Sequence, residues 1–160
     1  MSDENDYLKD LINETVYYKS LKDNPDLIFE QYKLFVEMAN DISNRRDNAN
    51  KFYLSLISAF FGIVVGILKI YGNDSFLIFP IIFCILISYL WISHINEYKK
   101  LNEGKFKIIN YIENYLPLKC FTIEWKLIKP EYSEITSKEK LIPIIIILFF
   151  IVFLMIIFMQ

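Results

Sequence analysis

The sequence predicts an all-α membrane protein with three transmembrane helices, the first two a tight hairpin, and a helical cytoplasmic portion from the N-terminal region and the 97–140 segment. Three observations predict it. Apolar residues make up 54% of 160 residues, with only four glycines, and the mean hydropathy of +0.32 is too high for an ordinary soluble domain. Three windows, Phe52 to Leu68, Ser75 to Ile95 and Leu141 to Gln160, contain no Asp, Glu, Lys or Arg. Each supplies about 19 residues of helix, roughly 28 Å at 1.5 Å per residue, which matches a bilayer core and is too long for a buried strand. Finally, LIPIIIILFFIVFLMIIFM is apolar all round, whereas a soluble core helix keeps a polar face. Its insertion is favourable by about 5 kcal/mol or more. The alternative is two spans, with the last run lying in the membrane or re-entering it.

Residues 1–51 read as cytoplasmic N-terminal helices. DYLKDLINETVYYKSL is a short amphipathic helix, and the first 30 residues carry eight acids against three lysines. A solvated face is the plain reading of that charge; a surface for an unknown cytoplasmic partner is the sharper one. Asn24, Pro25 and Asp26 suit a helix start, as cap, first-turn proline and dipole partner. From there Ile28, Tyr32, Phe35, Ala39 and Ile42 recur at spacings of 4, 3, 4 and 3, an apolar seam on one face. Neither Pro nor Gly interrupts the chain again before Gly62, so one helix is expected from Pro25 to about Tyr71, with residues 52–71 as transmembrane helix 1.

YGNDS is too short for an outer domain and makes the hairpin turn into transmembrane helix 2, residues 76–95. Residues 96–140 form a cytoplasmic segment. In it KFKIINYIENYL reads as a helix with Phe106, Ile109 and Ile112 or Glu113 at helical spacing, halted by Pro117. CFTIEWKLI fits a short helix or an extended piece. Thr136 and Glu139 have the spacing of a capping box, leading into transmembrane helix 3, residues 141–159, with Pro143 in its first turns as a candidate kink.

The first 51 residues are too polar and long for a signal peptide, so the first span is expected to be an uncleaved anchor. Arg45, Arg46 and Lys51 precede it; Lys99, Lys100, Lys105 and Lys107 follow span two; Lys138 and Lys140 precede span three. Only Lys69 lies at the opposite end. The positive-inside rule then puts the N-terminus and the 96–140 segment in the cytoplasm. Cys84 and Cys120 fall in different solvents, which argues against a disulfide. A formal charge of −2 gives no basic field for nucleic acid.

Within span one, Ser55, Ala59, Gly62 and Gly66 line one stripe, and small residues let helices approach closely in lipid. This is the candidate helix-packing face; a pore-facing stripe is the alternative. Continued back, the stripe reaches Phe52, Asn48, Arg45 and Asp41. Arg45, Arg46, Asn48 and Lys51 are therefore a candidate cytoplasmic rim or lipid anchor, against the plain reading of a solvated charge run. Pro117, Glu124 and Trp125 are candidates for fixing the connector fold. No ionisable group lies deep in a span, which counts against a proton relay, coupled transporter or voltage sensor. His94 reads as an interfacial residue. One histidine and two separated cysteines make no ordinary zinc site, and no phosphate loop, GxSxG or carboxylate pair is present. The expectation is no enzyme, no cofactor and no metal.

Three blocks, in order, carry a resemblance: YKLFVEMANDISNRRDNANKFYLSL (Tyr32 to Leu56), KLNEGKFKIINYIENYLPLKCFTIEW (Lys100 to Trp125) and YSEITSKEKLIP (Tyr132 to Pro143). Together they resemble the RipA family of octameric bacterial membrane proteins over about residues 30 to 143. There an Arg-Arg and Asn-rich helix end precedes the first span, here Arg45, Arg46 and Asn50, and Leu-Pro and Glu-Trp pairs flank a connector, here Leu116, Pro117, Glu124 and Trp125. Members often place a proline before the connector phenylalanine; this chain has Cys120 before Phe121. The resemblance implies a homo-octamer in the bacterial cytoplasmic (inner) membrane, with itself and lipid as partners. The expected function is a non-enzymatic homo-oligomeric ring, structural or pore-like. The alternative is a membrane effector or sensor of a stress or phage-defence pathway, gated through its cytoplasmic segment.

Overall fold

In the computed structural model the described residues are 25–71, 77–129 and 135–159. The amphipathic segment at the N-terminus and the turn after Tyr71, residues 72–76, lie outside them. Helix α1 spans Pro25–Tyr71 and α2 spans Ile78–Ile112, followed by a 3-10 turn at Glu113–Tyr115; α3 spans Cys120–Ile128 and α4 spans Ile135–Met159. The expected all-helical class holds among these residues. Three of the helices, α1, α2 and α4, are long and apolar enough to cross a membrane.

The predicted bounds of α1 are met at both ends, because proline and an acid open it and no Pro or Gly interrupts it again before Gly62. One difference appears further on. The predicted 105–116 helix is not separate: α2 continues from its apolar window through residues 96–104 to Ile112, since nothing there removes a backbone donor. CFTIEWKLI resolves to a helix. Pro143 lies inside α4, and α4 begins at Ile135, one residue before Thr136.

The chain divides into two compact units, and the divisions fall inside α1 and α2. The first unit comprises residues 1–39 and 105–130. Its described core contains Ile28 and Ala39 of α1 with Ile109 and Ile112 of α2, all buried. Ile28 and Ala39 belong to the predicted seam; Tyr32 and Phe35 between them, and Ile42 at its end, are half-buried. Phe121 of α3 meets Phe106 edge-on at 5.5 Å and Tyr32 at 6.4 Å between ring centroids, within the range where aromatic pairs attract.

The second unit comprises residues 40–104 and 131–160. One cluster fills it: Tyr53, Ile57 and Val64 from α1, Leu77, Ile81, Cys84, Ile87, Trp91 and Ile95 around α2, and Phe150 from α4. From Leu77, just before α2, through Ile81, Cys84, Ser88, Trp91 and Ile95 the buried residues repeat at 4, 3, 4, 3 and 4, so one stripe turns inward. On α4 Pro143, Ile146, Phe150, Phe153 and Ile157 do the same. Large side chains on the other faces, such as Phe79, Leu86, Leu148 and Val152, are exposed, as lipid permits. Helix association there rests on close packing and hydrogen bonds rather than on exclusion of water.

Candidate functional site: a polar belt and a capped connector

The second unit carries a belt of polar contacts where its apolar windows begin. Arg46, Asn50 and Tyr53 recur on α1 at spacings of 4 and 3 and so share a face. Each binds a residue of another helix. The Trp91 indole donates to Asn50 Oδ1 at 2.7 Å, and Tyr53 Oη pairs with His94 Nδ1 at 2.8 Å, the tautomer deciding the donor. Tyr53 also stacks on Trp91, with centroids 5.9 Å apart and planes 11° from parallel. Trp and Tyr present an apolar body and a polar tip, which suits them to a membrane boundary. On the α4 side Arg46 Nη2 donates to Glu139 Oε1 at 3.0 Å. The other oxygen, Glu139 Oε2, is buried and has no hydrogen-bond partner among the described residues.

Among the described residues of the first unit one carboxylate is fully buried, Glu113. Its Oε1 accepts from the Phe121 amide at 2.7 Å and from Tyr32 Oη at 3.2 Å. Its Oε2 accepts from the Thr122 hydroxyl at 2.8 Å and the Thr122 amide at 3.1 Å. A carboxylate from outside α3 therefore satisfies amides of its first turn that have no partner inside the helix. Burial opposes its charge, but these donors outweigh burial and hold the carboxyl below its ordinary range. Burial, followed by the adjacent carboxylate, pushes the Tyr32 phenol up to about 12.

The residues singled out from sequence fall variously. Ser55, Ala59 and Gly62 are exposed and Gly66 is half-buried. Each lies two positions from a core residue of α1, about 200° around the helix. A methyl group built at Gly62 or Gly66 meets nothing within 4 Å. Arg45 and Asn48 are exposed, and Lys51 pairs with Asp47 at 2.6 Å. Arg46 is drawn into the ion pair with Glu139. Pro117 and Glu124 are exposed and Trp125 is 50% exposed.

Sequence reasoning missed Asn50, Tyr53, Trp91 and Glu139 as a set, and it noted Glu113 only as a helical position. The signal for Glu113 was its place after Phe106 and Ile109 on an otherwise apolar face. Glu139 does not serve the predicted capping box through Oε1, which Arg46 occupies. Both cysteines are free, Cys84 buried and Cys120 exposed. Among the described residues no three His, Cys, Asp or Glu side chains converge as metal ligands.

Three apolar helices with polar ties at one end define a multi-pass helical membrane protein. The model of the octameric membrane protein family, 8xMP, matches residues 29–159. That match covers most of the chain, which belongs to this family. No curated protein and no solved structure matches the chain.

Proposed function

We propose that the chain builds a homo-octameric ring in the bacterial inner membrane, non-enzymatic and working as a structural or pore-like assembly. Octameric membrane assembly is the property named for its family; the finer likeness to the RipA family rests on the three sequence blocks above. The observation that carries the reading is the outward stripe of α1. Ser55, Ala59, Gly62 and Gly66 face away from the protomer's own core, with open space at both glycines. The outward faces of α2 and α4 instead expose bulky apolar residues such as Phe79, Phe83, Phe149 and Met155. Close approach of a neighbouring helix is favoured at the small-residue face. The charge pattern supports a cytoplasmic N-terminus and connector.

The test is particle mass in detergent or nanodiscs. The native chain gives an octamer, and Gly62→Leu with Gly66→Leu gives smaller species. An unchanged mass in that variant sinks the packing role of the stripe. Dye release from liposomes holding the octamer then separates a pore from a scaffold, and release that depends on an added cellular signal marks a gated effector.

A further inference from the structure

We infer that the ring has a second contact outside the membrane, in which the exposed face of α1 at Leu27, Leu34 and Met38 packs on the exposed face of α3 at Ile123 and Leu127 of the next copy. The inference rests on the octameric reading and adds an interface that the membrane stripe does not contain.

Two seams run along the cytoplasmic half of α1. The inner seam, Ile28 through Phe35 to Ala39, is used within the protomer. Leu27, Leu34 and Met38 each precede an inner-seam residue by one position, about 100° around the helix, and are 46%, 54% and 38% exposed. With Gln31 they have spacings of 4, 3 and 4, the heptad rhythm that seats knobs of one helix in holes of another. The same rhythm continues without a break through Asp41, Arg45, Asn48 and Phe52 to Ser55, Ala59, Gly62 and Gly66. Over the four heptads from Leu34 to Gly62 a straight helix drifts about 80° from that rhythm, so the apolar face outside the membrane is a surface of its own.

Lipid cannot cover the outer part. Leu34 stands 18 residues before Phe52 on an unbroken helix, about 27 Å of axis at 1.5 Å per residue. Water would cover it if no partner did, and large apolar residues exposed together on one helix face mark an interaction surface; Gln31 stands among them, and Met38 also meets Lys105 of its own chain at 3.7 Å. A closed ring requires heterologous contacts, so each protomer must offer two different patches. The first unit has a second apolar patch on a different element. Ile123 and Leu127 lie four apart on α3 and are 44% and 76% exposed, while Phe121 on another side of that short helix turns to Tyr32 and Phe106. A second copy of this chain fits both patches.

The test uses full-length chains co-expressed with two different tags, both carrying Cys120→Ser. One bears Leu34→Cys and the other Leu127→Cys, so that only a contact between copies can oxidise to a disulfide. The expected product carries both tags, is lost on reduction, and exceeds by at least tenfold the product from a pair with Leu34→Cys in both chains. No two-tag product, or a disulfide to some other protein, overturns the inference. Particle mass gives the second readout: Leu34→Lys with Met38→Lys shifts octamer to smaller species. If that variant stays octameric while the Gly62 and Gly66 variant does not, the cytoplasmic contact falls and the membrane packing stands. If the unsubstituted chain is not octameric, it is the ring reading that fails.

Discussion

Arg46 on α1 donates to Glu139 on α4 at 3.0 Å, and the two side chains are only 19% and 23% exposed. The pair ties the helix that enters the membrane first to the helix that enters it last, at the level where charge gives way to apolar sequence. Removing one member leaves the other partly buried and unpaired, which costs more than the pair contributes. Arg46→Ala is expected to destabilise the protomer by about 1–3 kcal/mol, read as a lower midpoint of thermal unfolding in detergent. Arg46→Met with Glu139→Met together should recover part of that loss. A double variant as unstable as the sum of the single ones would show that the residues act independently.

The belt on the α2 side offers a finer test. Trp91→Phe keeps a ring against Tyr53 but deletes the indole donor, leaving Asn50 Oδ1 without its 2.7 Å partner. We expect a loss of about 1 kcal/mol. Tyr53→Phe, which removes the oxygen held at 2.8 Å from His94, should cost a similar amount. Equal stability of both variants and the native chain would reduce the belt to packing alone.

Glu113 predicts an acid response. Its folded-state acidity constant lies below the ordinary value, so its contribution is complete above the unfolded value near 4.5 and is lost as pH falls through the folded one. The amides of Phe121 and Thr122 should therefore lose protection from hydrogen exchange as pH falls from the unfolded value through the folded one. Glu113→Gln sets an NH₂ group against donors and should cost on the order of 2 kcal/mol at neutral pH. In that variant the acid response at α3 should disappear; its persistence would assign it to another group.

Tyr32 predicts the alkaline counterpart. With its phenol pushed up to about 12, above an unfolded value near 10, the stabilisation is present below pH 10 and is lost as pH rises through 12. Ultraviolet titration of the native chain should show one phenol ionising later than in Tyr32→Phe. Overlapping titrations would remove Tyr32 from the contact with Glu113.

Much of the fold was legible because single-helix physics determines it. The proline at the first helical position, the absence of breakers from there to Gly62 and the charge-free windows set the course of α1, and the seam at Ile28 and Ala39 is buried as its spacing required. The polar belt was less legible, because its bonds join positions 41 to 93 residues apart. Arg46 reads in sequence as the twin of Arg45, yet one position of rotation turns it toward Glu139 and leaves Arg45 exposed. In the connector, Glu124 beside Trp125 drew notice by adjacency. The buried carboxylate is Glu113, whose partners Phe121 and Thr122 follow a 3-10 turn and Pro117, where no periodic pattern reaches.

The two cysteines differ in a way that is useful at the bench. Cys84 is sealed at 0% exposure inside the helix cluster, whereas Cys120 is open to solvent at the start of α3. The native chain therefore offers a single addressable thiol, and a maleimide dye will mark each copy once. Photobleaching of individual labelled particles then becomes a tally of subunits, one fluorescence step per chain, with no substitution introduced.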